Sequence, residues 1–480
     1  MLPNGFRVEL TPTTRRHADG HLLVGGQPRR ALRLSDTGVD VLERLLAGGV
    51  TSEVSATLAR RLLDRGLAVP IPRNLRPGLA GVRVVVPVRD QPDALAACLT
   101  ALGPRVDVTV VDDGSSAAER IAAVTSRAGA RLVRLDANAG PGAARNRGVT
   151  DAQRRASEPA GFIAFIDSDV LATPADLERL MAHFADPTVV AVGPRILDST
   201  HAGPGLLDLG PTPARVEPGG RVSYLPTACL VTRASALPDP VFDPALRYGE
   251  DVDLVWRLID AGGSVRYDAA VEVSHTPGAS EKALLTKRFH YGTSAGPLAS
   301  RHRGRLAPLR MQRETALATG LAVTGHPRAA IAAAALPIRR IPELRRLGIP
   351  TSAAFAMVGE SQLAAARALS RFAAQFCWPA FGVLAWRRPA RIPVLAAVLC
   401  LEPITRRRYF APDRAWPGWL VRSLAADAAY GAGVVAGAIM ARQVEPLLPA
   451  LSRPNRAHRE GSRAATAAGS PPRPPGSPDA

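Results

Sequence analysis

Cysteine is scarce: the 480 residues hold four, Cys98, Cys229, Cys377 and Cys400, and no two form a C-x-x-C pair. That excludes a disulfide framework and argues against a structural zinc cluster. Lysine is scarcer still, with Lys282 and Lys287 alone, so nearly all positive charge is arginine. Aromatic residues make up only 5%. Long hydrophobic runs are missing too, since no apolar stretch reaches the roughly 20 uncharged residues of a clean membrane span. Residues 1–20 contain Arg7, Glu9, Arg15, Arg16 and Asp19 and lack the apolar core of a secretory signal, so a reduced, cytoplasmic location is expected.

What is present divides into two unlike parts. The net charge of +18 is confined to the last two fifths: residues 1–280 carry 31 basic and 32 acidic side chains, and residues 281–480 carry 29 and 10. The first part begins with a small helical unit. An apolar period through Val39, Leu42, Leu45 and Leu46 follows Ser35 or Thr37 as cap, and a second through Val54, Leu58, Leu62 and Leu63 follows Thr51-Ser52. With the strand-like Leu67-Ala68-Val69 behind them, these helices form a winged-helix-like module over residues 1–76. After a linker at 74–80, strands and helices alternate. Strands are expected at 82–88, 106–111, 131–135 and 162–166, and helices at 92–102 (capped by Asp90), 117–128, 142–156 and 174–184. Such alternation means an α/β domain with a mostly parallel sheet, spanning 80–290.

Ligands in such sheets bind beyond the carboxyl ends of the strands. The second strand ends in Asp112-Asp113-Gly114-Ser115 and the fourth in Asp167-Ser168-Asp169. Alone, Asp-Asp-Gly is often just a turn. Asp-x-Asp after an apolar strand is harder to dismiss, because adjacent carboxylates repel unless a cation or water separates them. Hard oxygen ligands suit Mg²⁺ or Mn²⁺ carrying a diphosphate. Between the pairs, Asn138 to Gly148 supplies glycines for close backbone approach and Arg145 for an oxygen-rich group. This segment is neither a Walker A loop nor a dinucleotide fingerprint. Further on, Glu250, Asp251 and Asp253 open a helix, and a strand at 265–273 is followed by His275, an imidazole able to complete a metal site.

Taken in order, Val84 to Asp90, Val110 to Ser115, Asn138 to Gly148, Asp167-Ser168-Asp169, Gly249 to Asp253 and His275 resemble the family 2 glycosyltransferases. The N-terminal module resembles PqqD-type domains, and the whole chain is similar to the mycofactocin-system branch of the family in actinobacteria. The resemblance implies a GT-A nucleotide-diphospho-sugar transferase fold with a PqqD-like domain before it and a helical region after it. It also implies an inverting, metal-dependent hexosyltransferase. The donor would be UDP-glucose, the acceptor premycofactocin, a peptide-derived redox cofactor, and the product a β-1,4-glucan chain. Carried over residue by residue, Pro87, Asp112 and Asp113 would meet the uracil and ribose, Arg145 the base or phosphates, and Asp167 the ribose and donor sugar. Asp169, with His275, would hold the cation. Asp251 would be the general base with Glu250 beside it, and Asp253, Trp256 and Arg257 would contact acceptor or phosphate. Trp256 also reads as a core residue, and Arg257 as an i, i+4 partner of Asp253. Arg89 departs from the family pattern.

From 291 to 451 apolar stretches recur at 329–338, 376–386, 392–401 and 428–441, bordered by Arg339-Arg340, Arg387-Arg388 and Arg406-Arg407-Arg408. That pattern fits helices lying on an anionic membrane surface, here the inner face of the cell membrane. Residues 452–480, rich in Pro, Ser, Gly and Ala, are expected to be disordered. A lipid or cell-wall polysaccharide acceptor would suit the basic half equally well. A nucleic-acid regulator would not, because residues 30–72 carry no basic recognition helix.

Overall fold

The computed structural model describes residues 1–26, 29–71, 78–154, 160–199, 207–276, 281–410 and 415–452. At its centre is a nine-stranded mixed sheet. Strand Val82–Val88 lies between two parallel neighbours, Asp107–Asp113 and Phe162–Ile166, and is apolar on both faces because a packed layer covers each side of the sheet. Arg131–Leu135 extends that parallel half. On the other side, Cys229–Arg233 runs antiparallel between Phe162–Ile166 and Val189–Asp198. The long strand Ser264–His275 then pairs parallel with Val189–Asp198. Val84, Val86 and Val88 pack into one apolar layer with Leu95 and Leu102, while Val85, Val111 and Phe165 pack into the other with Phe242 and Val255.

The expected strands and helices of residues 82–184 form with shifted ends, and the last two residues of the helix expected at 142–156 lie outside the described residues. The second strand runs through both aspartates to Asp113. Asp90 does not cap the helix Pro92–Leu102. It takes φ +53° and accepts at 2.7 Å from both the N–H and the hydroxyl of Ser116. Strands Val189–Asp198 and Cys229–Arg233 lie outside the alternation that the spacing predicts.

In the N-terminal module, helices Asp36–Gly48 and Glu53–Asp64 form as expected, capped by Ser35 and Ser52. Strand Ala68–Pro70 pairs with Val8–Leu10. A three-stranded antiparallel sheet, Arg15–His17, Leu22–Gly25 and Arg30–Arg33, has no counterpart in the expectation. The module docks through Arg60, which pairs with the fully buried Asp186, and Asp186 also takes Arg266 of the central sheet. The linker and the C-terminal tail fall largely outside the described residues.

All four apolar stretches of the last part are helical. Helix Glu281–Thr293 crosses the expected boundary at 290, and Thr351–Phe372 continues through one wide π turn, Ala373–Cys377, into Trp378–Arg387. Among the described residues one helix, Trp416–Met440, is long and apolar enough to cross a membrane, with a mean hydropathy of 1.4. No such helix is expected from unbroken apolar runs, because Arg422 and Asp427 interrupt this one without lowering its average below that of a span. Its glycines set it directly on Glu281–Thr293. A Cβ at Gly433 would stand 1.9 Å from the Phe289 carbonyl oxygen, and one at Gly437 2.1 Å from that of Thr293. Only glycine permits backbones that close.

Candidate active site

The strand ends of the sheet and the helices after it enclose a cleft of about 900 Å³. Pro87, Asp113, Arg145, Asp167, Asp169, Glu250, Asp251 and His275 all line it. At one end two loops meet closely. Gly114 takes φ +66°, and a Cβ there would lie 2.7 Å from the Asn138 nitrogen. This contact lets the Asp113 carboxylate accept from Ala139 N–H at 2.7 Å and Gly140 N–H at 2.9 Å. The sequence assigns Asp112 and Asp113 alike to the nucleoside, but the structure gives the cleft only Asp113. Neighbouring strand residues face opposite sides. Asp112 is fully buried, accepting from Ser115 N–H at 2.9 Å and pairing with Arg134.

Arg145 ties the centre together. Buried under Phe242, it donates to Asp167 Oδ1 at 2.6 Å and to Glu250 Oε1 at 3.0 Å. Burial opposes its charge, but the two carboxylates outweigh it and hold the guanidinium protonated. Both forks being engaged, Arg145 spans from strand end to helix start and organises two acids.

On the far side of Asp167, Asp169 Oδ2 and His275 Nε2 stand 3.5 Å apart. The imidazole is oriented by Asp198, whose Oδ1 lies 2.8 Å from Nδ1. Burial pushes the His275 pKa down, while Asp169 and Asp198 together raise it to about 9. Among the described residues no group of three His, Cys, Asp or Glu forms a closed metal cage. Two donors at a cleft edge suit Mg²⁺ or Mn²⁺, which keep open positions for phosphate and water.

Asp251, at the first turn of helix Glu250–Asp260, accepts from Val252 N–H at 2.8 Å. Burial, and then the neighbouring Glu250 charge, push its pKa up to about 7. The phenols of Tyr224 and Tyr291 stand close enough that burial and Asp251 push both upward.

Of three residues expected at the acceptor or phosphate, Asp253 and Arg257 lie off the cleft and Trp256 borders it as part of the core. Asp253 is buried away from the cleft, held by Arg257 Nε at 2.8 Å and His302 Nε2 at 3.0 Å. Arg257 spends its other nitrogens on the carbonyls of Pro240 and Val241. The Trp256 ring borders the cleft but belongs to the core, 4% exposed, with Nε1 donating to Ser223 O at 2.7 Å. The opposite wall, unmarked by any motif, comes from Tyr248, Tyr291, Arg371, Phe376, Asp427 and Tyr430. Tyr248, stacked on His290 at 4.9 Å, adjoins the acidic motif and could have been suspected from that.

Residues 83–216 match the family model described as glycosyl transferase family 2. The pre-mycofactocin glycosyltransferase of Mycobacterium tuberculosis is 37% identical over 477 residues, covering 93% of this chain and 98% of its own. The chain belongs to glycosyltransferase family 2. The succinoglycan biosynthesis protein ExoO of Rhizobium meliloti is 38% identical over 89 residues, covering 18% of this chain and 24% of its own. Among solved structures, the mannosyltransferase PcManGT of Pyrobaculum calidifontis, in complex with GDP-Man and Mn²⁺, is 17% identical with a TM-score of 0.38, covering 72% of this chain and 92% of its own. As a family 2 glycosyltransferase, the enzyme has a mixed α/β sheet whose strand ends carry the acidic cleft, followed by a helical C-terminal region.

Proposed function

We propose that this family 2 glycosyltransferase moves glucose from UDP-glucose onto premycofactocin and then extends a β-1,4-glucan, with inversion at each transfer. The observation that carries the acceptor is the near end-to-end correspondence with the pre-mycofactocin enzyme, which includes the N-terminal module and the helical region as well as the catalytic domain. Asp113 and the loop at Asn138–Gly140 hold the nucleoside, with Asp112 bracing the Asp113–Ser115 turn from behind. Asp167, fixed by Arg145, faces the donor sugar. Asp169 and His275 would hold a divalent cation, which supplies positive charge against the departing diphosphate. Asp251 takes the acceptor hydroxyl proton as that oxygen attacks opposite the leaving group.

The enzyme works at the inner face of an anionic membrane. Exposed Trp378, Trp386 and Val394, at 51%, 81% and 44%, stand among Arg387, Arg388 and Arg391, the combination that seats a helix at a lipid interface. Co-sedimentation with phosphatidylglycerol vesicles should be strong at low salt, weak at high salt and negligible with neutral vesicles. Equal recovery with and without vesicles would remove the membrane assignment.

The acceptor is tested by mass spectrometry of small polar metabolites from the source organism, with and without the gene. Loss of a hexose ladder built on a small redox-active core, with the bare core left behind, is the expected result. An unchanged ladder alongside a missing glycolipid or wall glycan would shift the acceptor and leave the chemistry intact.

A further inference from the structure

A second cavity, of about 530 Å³, lies between the N-terminal module and the catalytic domain and shares no lining residue with the cleft. Val69 and Ile71 of the module form one side, and Pro213 and Val271 contribute apolar surface opposite. Two polar side chains in this lining are almost wholly buried and lack a partner on one atom. His183, 4% exposed, sets Nε2 at 2.8 Å from Asp268 Oδ2, while its Nδ1 has no partner among the described residues. A carboxylate only accepts, so Nε2 carries a hydrogen, and in the tautomer this selects Nδ1 is an acceptor. Arg266, 5% exposed, gives Nη2 to Asp186 and leaves Nη1 without a partner among the described residues. Buried groups of this kind are nearly always paired.

The volume falls within the range of small-molecule sites, which combine apolar walls with a few placed polar groups. We propose that this cavity is a second ligand site, selective for a secondary amide with a compact apolar body. The amide N–H faces His183 Nδ1 and its carbonyl faces Arg266 Nη1, a pairing that neither a simple anion nor a hydrocarbon satisfies. The site stands apart from the glycosyl-transfer cleft and does not depend on the assignment of donor or acceptor. A free small amide and an extended peptide share this chemistry. A peptide would also meet strand Ala68–Pro70, which among the described residues pairs only with Val8–Leu10.

The test uses the full chain and calorimetric titration with N-acetyl-valine N-methylamide, and separately with a blocked tetrapeptide of alanine and valine. Saturable binding is expected. Ala175→Trp and Ala270→Trp, made separately at exposed lining positions so that the core is untouched, should each weaken it by about tenfold or more, the worth of one well-made contact. Asp251→Asn in the cleft should leave it unchanged. Tighter binding of the tetrapeptide identifies a strand as the occupant, and equal or weaker binding identifies the small amide. Absence of saturable binding to either probe, meaning a cavity filled by water alone, overturns the proposal. So does binding that ignores both tryptophans, or binding that Asp251→Asn abolishes.

Discussion

Asp251→Asn is expected to bind donor nucleotide as the parent does and to lose about 10²–10⁴-fold in turnover, the usual contribution of a positioned base. The substitution keeps the size of the side chain and its acceptor oxygen for Val252 N–H, so the helix start is preserved. What it removes is the group that can take a proton. The parent enzyme should show a matching pH dependence. A carboxyl raised to about 7 by burial and by Glu250 must be ionised to act as a base. Activity should therefore fall about tenfold for each pH unit below that value and level off above it. The Asn variant should lack that limb. Single-turnover assays and nucleotide titration separate the outcomes: retained turnover ends the base assignment, and joint loss of turnover and nucleotide binding marks Asp251 as structural.

Asp169→Ala should abolish transfer at every Mn²⁺ or Mg²⁺ concentration. It removes one of the two side chains proposed to hold the cation, and His275 remains held by Asp198 without its partner carboxylate at 169. Asp198→Asn provides the graded comparison, since loss of an orienting partner costs about 10–100-fold in metal affinity or activity. A variant at position 169 rescued by excess metal, or weakened no more than the Asp198 variant, would contradict the assignment. Metal titration of the activity and of nucleotide binding reads both.

The parallel half of the sheet was legible because a strand buried on both faces is a continuous apolar run, and Val82–Val88 and Phe162–Ile166 are nearly that. The acids at their ends stood out for the same reason. Which acid of a pair faces the cleft follows from geometry that adjacency in sequence hides. Asp112 and Asp113 alternate across a strand, and Asp251 and Asp253 sit about 200° apart around a helix, so each pair can send only one member inward. The sheet of residues 15–33 escaped notice because Arg15, Arg16, Arg30 and Arg33 occupy short edge strands that read as polar loop. Beyond Tyr248, which adjoins the acidic motif, the far wall of the cleft was invisible for another reason: it is assembled from single side chains spread from Tyr291 to Tyr430, with no local spacing to betray it.

The glycine contact between Trp416–Met440 and Glu281–Thr293 changes what losing the C-terminal region would mean. Asp427 and Tyr430, which border the cleft, project from the same helix that Gly433 and Gly437 press against the catalytic domain. Cutting the chain before Trp416 would therefore not trim away a detachable anchor. It would leave the sugar-transfer centre without one of its sides, open to water where an acceptor should be enclosed. In a genetic screen, glycines far in sequence from every acidic motif would score beside the carboxylates of the cleft.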